Sequence, residues 1–388
     1  MRAVDRGQLT PLVLLDLSSA FDTVDHDCLL RVLKNRFSVD GPALDWFQSY
    51  LSDRSQTFIA ANSKSDPVPV KCSVPQGSVM GPIQFIAYTE DVTELFHKHD
   101  LGYHLFADDK QVYTHVLPSE EAAGLHKLAS CISELKAWCA SRRLQLNAAK
   151  TELIWFGSRA ALQKPSADRS LTVDSVVIHP SNVVRDLGVL LDSELTMKPH
   201  INKLVSTCFY HLRRLRQLKR HVNRDVMKQL VSALILSRID YCNSLLVGLP
   251  WSTIAPLQRV QNAAARLVMG LSARDHVGPA LRELHWLPLA HRIKFKVALL
   301  MYMAHNRLSP LYISEMLAPV SGTLMHWQLR SSGSSNYTVP RTRTKFGDRA
   351  FSVAGPVIWN SIPDSIRAVD NVHTFKRLLK THFFNQLN

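Results

Sequence analysis

The sequence predicts an α+β fold: an antiparallel sheet with helices on one face over about residues 1–160, followed by a helix-rich remainder. Three observations predict it. The run Leu12–Leu17 is apolar except for Asp16 and reads as a buried strand. Two short strand-like segments, Tyr103–Ala107 and Gln111–His115, flank two adjacent acids, as the arms of a hairpin do. Glu120–Arg142 carries Leu125, Leu128, Ile132, Leu135 and Trp138 at helical spacing, the mark of a long amphipathic helix.

The other elements follow in order. Asp25–Arg36 is expected to be a helix with Leu29, Leu30 and Leu33 on one face, and Gly41-Pro42 punctuates the chain before a second helix, Ala43–Leu51. Gln56–Ala60 and Val70–Val74 flank a Ser/Asp/Pro loop as two hairpin strands would. Pro75-Gln76-Gly77-Ser78 breaks that pattern, a helix then covers Pro82–His97, and the strand Glu152–Phe156 closes the region. Gly157–Arg169 reads as a polar loop, followed by short β segments at Leu171–Val173, Val176–His179 and Val184–Leu191. After Met197, a helical stripe runs through Ile201, Leu204, Val205, Cys208, Phe209, Leu212, Leu215 and Leu218. From Lys203 to Arg224 there are seven Lys or Arg residues and no acid. Further helices are expected over Asp225–Leu246, Thr253–Leu271 and Ala290–His305, and a long Ser/Thr/Arg-rich loop over Ser321–Thr344. These changes in character divide the chain at about 160, 196 and 275, leaving 276–388 as a helix-rich region with no role to assign.

Composition narrows the function. Hydrophobic residues make up 46% of the 388, too many for a disordered tail. No apolar run reaches the 18 or so residues a membrane span needs, and the first residues lack the apolar core of a secretory signal. Lys and Arg outnumber Asp and Glu by 46 to 32, a formal charge of +14 that suits a polyanionic partner and favours nucleic acid over membrane. The six cysteines form no Cys-x-x-Cys pair and read as reduced thiols inside a cell.

The chemistry lies in three acids. Asp16 ends a buried strand, and Asp108-Asp109 fill the turn between two short ones. Each alone is an ordinary turn former. Adjacent carboxylates repel unless a cation sits with them, and a hard divalent ion prefers such oxygens. Two such ions, about 3.5–4 Å apart, serve both the attacking and the leaving oxygen of a phosphoryl displacement. That chemistry needs acidic strand ends side by side.

Five segments carry a resemblance. Leu14-Leu15-Asp16-Leu17-Ser18-Ser19-Ala20-Phe21-Asp22-Thr23-Val24-Asp25-His26 is similar to motif A of the reverse transcriptases of LINE-type (non-LTR) retrotransposons, and Ser73-Val74-Pro75-Gln76-Gly77-Ser78-Val79-Met80-Gly81-Pro82 to motif B. Phe106-Ala107-Asp108-Asp109 is similar to motif C, Leu146–Glu152 to motif D, and Asp186–Leu191 to the primer-grip motif E. All five stand in the family's order.

The resemblance implies a polymerase palm over 1–160, a β connection with a primer-grip hairpin over 161–196, a basic helical thumb over 197–275, and RNA-directed DNA polymerase activity. It implies that Asp16, Asp108 and Asp109, with the Leu17 carbonyl, hold two Mg²⁺ ions, Mn²⁺ being an alternative. Phe21 becomes the ring that excludes a ribonucleotide 2′-hydroxyl, Gln76 and Gly77 sit beside the incoming nucleotide, and Lys150 serves the pyrophosphate leaving group. Leu187, Gly188, Lys203, Arg213, Arg214, Arg216, Lys219 and Arg220 become contacts to nucleic acid, made to phosphates rather than base edges. The implied partners are an RNA template, a DNA primer and deoxynucleoside triphosphates, and an element of this kind needs access to the nucleus. The segment Phe351–Asn360 resembles the tail of elements in the same group, with no physical role attached.

The sequence opens a few residues before motif A, so the basic fingers motifs are expected to be missing and the chain to be N-terminally truncated. Gln84 stands where the family has an apolar residue. Two readings therefore stay open: a polymerase, and a catalytically silent nucleic-acid-binding remnant. An RNA-directed RNA polymerase is disfavoured by Phe21, which leaves no room for a 2′-hydroxyl.

Overall fold

Leu12, Val13 and Leu15 are buried in the strand Thr10–Leu15, an inner member of a four-stranded antiparallel sheet. The order across it is Glu152–Phe156, Thr10–Leu15, Asp109–Tyr113, Gly102–Phe106. The computed structural model describes residues 1–61, 63–164, 168–173, 176–320 and 335–387. They form two compact units: Gly7–Val184, called here the aspartate unit, and Met1–Arg6 with Arg185–Asn388, the helical unit.

In the aspartate unit, His26–Phe37, Pro42–Leu51, Met80–Thr89, Val92–Lys98 and Glu121–Ser141 supply the longer helices. One core joins Leu29, Phe85, Tyr88, Phe96, Leu128, Ile132 and Leu135 to Val13, Val112 and Leu153 of the sheet. The helix His26–Phe37 starts where Asp25 Oδ1 accepts from Cys28 N at 2.8 Å, and it ends at Ser38 in the left-handed region.

Three expectations need correction here. The single helix over Pro82–His97 is two, because Glu90, Thr93 and Glu94 donate three residues back and tighten the turn, while Arg142 holds Asp91. The strand expected at Val70–Val74 is absent. Its hairpin pairs Ser55–Gln56 with Val68–Pro69, and a smaller one pairs Ile59–Ala60 with Ser63–Lys64. Pro67 and Pro69 have no N–H to extend the ladder. The chain instead turns in along motif A, with Ser73 N donating to Val24 O at 2.8 Å and Val74 N to Phe21 O at 2.9 Å. The polar loop after Gly157 contains a short helix, Arg159–Leu162, capped by Ser158.

Val183–Asp186, which carries the chain into the helical unit, pairs with Val189–Asp192 as a hairpin that leads into the helix Lys198–Leu218. The helix expected over Asp225–Leu246 is fourfold: Arg224–Val231, a π-helical turn Ser232–Leu236, Ser237–Asp240, and a 3₁₀ turn Asn243–Leu246. Tyr241 turns extended and Cys242 left-handed, which ends the α-helix. Trp251–Met269, Leu289–His305, Phe351–Asn360 and Val372–Asn385 complete the larger helices. Phe351–Asn360 is a core helix: Trp359 is fully buried, and a Cβ at Gly355 would lie 2.6 Å from Met301 Sδ. The first turn, Arg2–Asp5, is held by residues far along the chain. Asp5 accepts from Arg343 N at 3.0 Å, Thr344 N at 2.8 Å and Thr344 Oγ1 at 2.7 Å. Of the loop expected over Ser321–Thr344, the part up to 334 lies outside the described residues.

All six cysteines are free thiols, and burial pushes Cys131 up to about 12 and Cys139 and Cys208 to about 11. Among the described residues no helix is long and apolar enough to cross a membrane.

Candidate active site

The sheet register brings the acids together. Leu15 stands opposite Lys110, so the next residue, Asp16, stands beside Asp109. Phe106 pairs with Asp109 across a two-residue turn of Ala107 and Asp108. Ala107 has φ 53°, a left-handed conformation that costs an alanine about 1 kcal/mol. That is backbone strain stored beside the acids. The strand expected to run to Leu17 ends at Leu15 and breaks at Asp16. Leu17–Ser18 pairs with Gln145–Leu146 instead, and Asn147 N donates to the Asp16 carbonyl at 2.9 Å. The Leu17 side chain is buried. Motifs A, C and D therefore meet at one end of the sheet.

The electrostatics match that convergence. Burial raises the Asp109 pKa above the usual carboxylate range, and the charges of Asp108 and Asp16 raise it further. Lys150 Nζ lies 3.2 Å from Asp16 Oδ2, within ion-pair range, yet that buried oxygen makes no aligned hydrogen bond. Lys150 is exposed, so the pair contributes little stability. The next residue in the motif C strand, Lys110, is 1% exposed, and its ammonium has no hydrogen-bond partner. Burial pulls its pKa down to about 8.

Among the described residues no group of three or more His, Cys, Asp or Glu side chains is assembled closely enough to hold a metal ion. The donors that do converge are all hard carboxylate oxygens, one of them buried without a hydrogen bond, and one acid is destabilised by its neighbours' charge. Such a set fits a hard divalent cation.

The other motif residues surround the acids in sequence and hydrogen bonding. Phe21 is half-buried and stacks on Phe85, with ring centroids 4.7 Å apart. Gln76 is exposed, and its Nε2 donates to Asp22 Oδ1 at 3.0 Å, tying motif B to motif A. Gly77 has φ 80° with open space where a Cβ would be. Gly81 allows close approach, since a Cβ there would lie 2.7 Å from Pro75 O. Gln84 is 1% exposed with neither amide atom hydrogen-bonded.

In the helical unit, Leu187 and Gly188 form the two-residue turn of the hairpin, both with positive φ, as a type I′ turn requires. Lys203, Arg213, Arg214 and Arg216 are exposed on the helix Lys198–Leu218, and Lys219 and Arg220 are exposed just after it. Ile201, Cys208, Leu212 and Leu215 form its buried face. Sequence reasoning missed a cavity of about 700 Å³ next to this helix. Arg185, His200, Lys203, Arg238 and Tyr241 line it, no acid does, and Tyr241 OH donates to Leu187 O at 2.6 Å. Arg238 and Tyr241 fall where a continuous helix was expected. The π-helical turn and the extended Tyr241 direct them, and no local sequence signal announces either.

The family model for reverse transcriptase (RNA-dependent DNA polymerase) matches residues 2–191. The probable RNA-directed DNA polymerase from transposon BS of Drosophila melanogaster is 30% identical over 224 residues, 56% of this chain and 24% of that protein. The probable RNA-directed DNA polymerase from transposon X-element of the same fly is 27% identical over 70% of this chain and 29% of its own length. The RNA-directed DNA polymerase from its mobile element jockey is 26% identical over 53% and 22%. The chain thus spans about a quarter of the length of these relatives.

Proposed function

Residues 2–191 belong to the reverse transcriptase family, and from that premise we propose that this chain carries the nucleotidyl-transfer site of a non-LTR retrotransposon's RNA-directed DNA polymerase. The observation that carries this reading is the meeting of Asp16, Asp108 and Asp109 at one end of the sheet, with Asp109 destabilised by the other two. Reverse transcriptases use divalent metals. Here Asp16, Asp108 and Asp109 would hold Mg²⁺, with the Leu17 carbonyl as a further oxygen. The metal would supply charge stabilisation to the transferring phosphoryl group. Lys150, already paired with Asp16, places a cation where pyrophosphate charge develops.

Phe21 is the residue that excludes the 2′-hydroxyl, and Gln76 and Gly77 border the nucleotide. In the helical unit, Leu187, Gly188 and the exposed cations from Lys203 to Arg220 take the phosphates of an RNA template paired with a DNA primer. Nuclear access follows from the need to reach chromosomal DNA. The test is primer extension on an RNA template with Mg²⁺ or Mn²⁺. Deoxynucleotide incorporation that disappears in Asp108→Ala supports the reading, and no product above that control overturns it.

A second reading, a silent nucleic-acid-binding remnant, has the formal charge of +14 as its support. It expects salt-dependent RNA binding with no incorporation.

A further inference from the structure

Lys110 is a lysine that the chemistry above does not use. It follows Asp108-Asp109 on the strand Asp109–Tyr113, whose residues alternate so that Asp109 is exposed while Lys110 and Val112 are buried. Its ammonium is sealed from water with no hydrogen-bond partner. What it meets is a ring: Nζ lies over Phe85, 5.6 Å from the centroid. Phe85 is itself fully buried, and it is the ring on which Phe21 stacks, at 4.7 Å with 24° between planes. One ring therefore joins a buried charge to the half-buried phenylalanine of motif A.

Beside the charges of Asp108 and Asp109, an ammonium with no hydrogen-bond partner draws on the π-face, and that attraction grows when water is excluded. It penalises any shift of the Phe85 ring away from Nζ. Phe85 is in turn the floor of Phe21, whose exposed part lies toward solvent. We propose that Lys110 is a positioning residue for sugar discrimination: its ammonium anchors Phe85, and Phe85 holds the Phe21 ring in place. The proposal rests on the reading of Phe21 as the group that excludes a 2′-hydroxyl. A methionine at 110 would fill nearly the same space without the charge, which makes Lys110→Met the discriminating variant.

Two measurements test it. In primer extension, Lys110→Met should lower the ratio of kcat/KM for deoxynucleotide over ribonucleotide by roughly five- to thirtyfold, the worth of a desolvated cation–π contact. The change should appear mainly as a lower KM for ribonucleotide. Phe85→Leu, which removes the shared ring, should do the same, and Lys110→Arg should retain most of the discrimination. The second measurement needs no turnover: a fluorinated phenylalanine at position 21 read by NMR. Its single resonance should shift and broaden in Lys110→Met and in Phe85→Leu. An unchanged resonance in Lys110→Met overturns the proposal, as does unchanged discrimination in an active chain. If the parent chain incorporates no nucleotide, the polymerase reading falls, and the fluorine resonance still decides whether Lys110 holds the ring.

Discussion

The two units handle charge in opposite ways. The aspartate unit gathers like charges at one end of a sheet and buries an ammonium behind them. The helical unit spreads its cations over an exposed helix face with an ordinary apolar stripe beneath. Replacing a charge in the first alters a geometry, whereas replacing one in the second subtracts from a sum. A phosphate backbone can be gripped by any suitably placed cations, but a divalent ion needs particular oxygens at particular positions.

The largest effect should come from breaking the first pattern. Asp16→Asn should lower primer extension by about 10³-fold or more, the several kcal/mol that metal stabilisation supplies. The melting temperature should hold or rise, because the acids repel one another. A fall of several degrees would instead mean that Asp16 is a structural acid serving Lys150.

The additive pattern comes next. Changing Arg213, Arg214 and Arg216 together to Gln should weaken RNA–DNA duplex binding by roughly 100-fold at physiological salt and cut the slope of log K against log salt by about 2–3. An unchanged slope would show that these cations do not meet phosphates.

A smaller effect is expected where the aspartate unit uses a carboxylate for folding alone. Asp25 is buried, and burial raises its pKa. The Cys28 N–H and the charge of Arg143 outweigh that, and the net shift is downward. Its contribution to stability is therefore complete above its unfolded pKa, near 4, and is lost as acid takes the pH down through the depressed folded value. Asp25→Ala should cost about 2 kcal/mol at neutral pH, read by urea titration, and the gap from the parent should close in acid. A gap that stays constant down to low pH would remove the ionised cap from the account. The smallest change is Ala107→Gly, which should stabilise by about 0.5–1 kcal/mol by relieving the left-handed alanine. A loss of stability would mean that the Ala107 methyl packs rather than strains.

This contrast explains what could be read from the letters. The strand before Asp16, the acidic hairpin turn and the long helix were legible because burial imposes a period and a turn favours short polar residues. Glu152–Phe156 was placed to the residue. The break at Glu90-Asp91 was hidden, because it depends on Arg142, an ion-pair partner some fifty residues away. The inward turn of Val70–Val74 was hidden as well, since its partners lie on motif A. In the helical unit, hydrophobic period ran on through Asp225–Leu246, while the chain itself changes winding at Ser232 and again at Tyr241. The candidate acids were found from motif spacing. The cavity beside Arg238 and the ring contact of Lys110 were not, because each joins residues that share no local pattern.

The clasp on Asp5 has a consequence for biosynthesis. Its partner Thr344 lies 339 residues further on. At about 5–20 residues per second, Asp5 leaves the ribosome roughly 20–70 s before that partner exists. Over the same interval residues 7–184 acquire all the strands of their own sheet. Residues 1–6 are thus made before the sheet that follows them in the chain, yet they find their place after it.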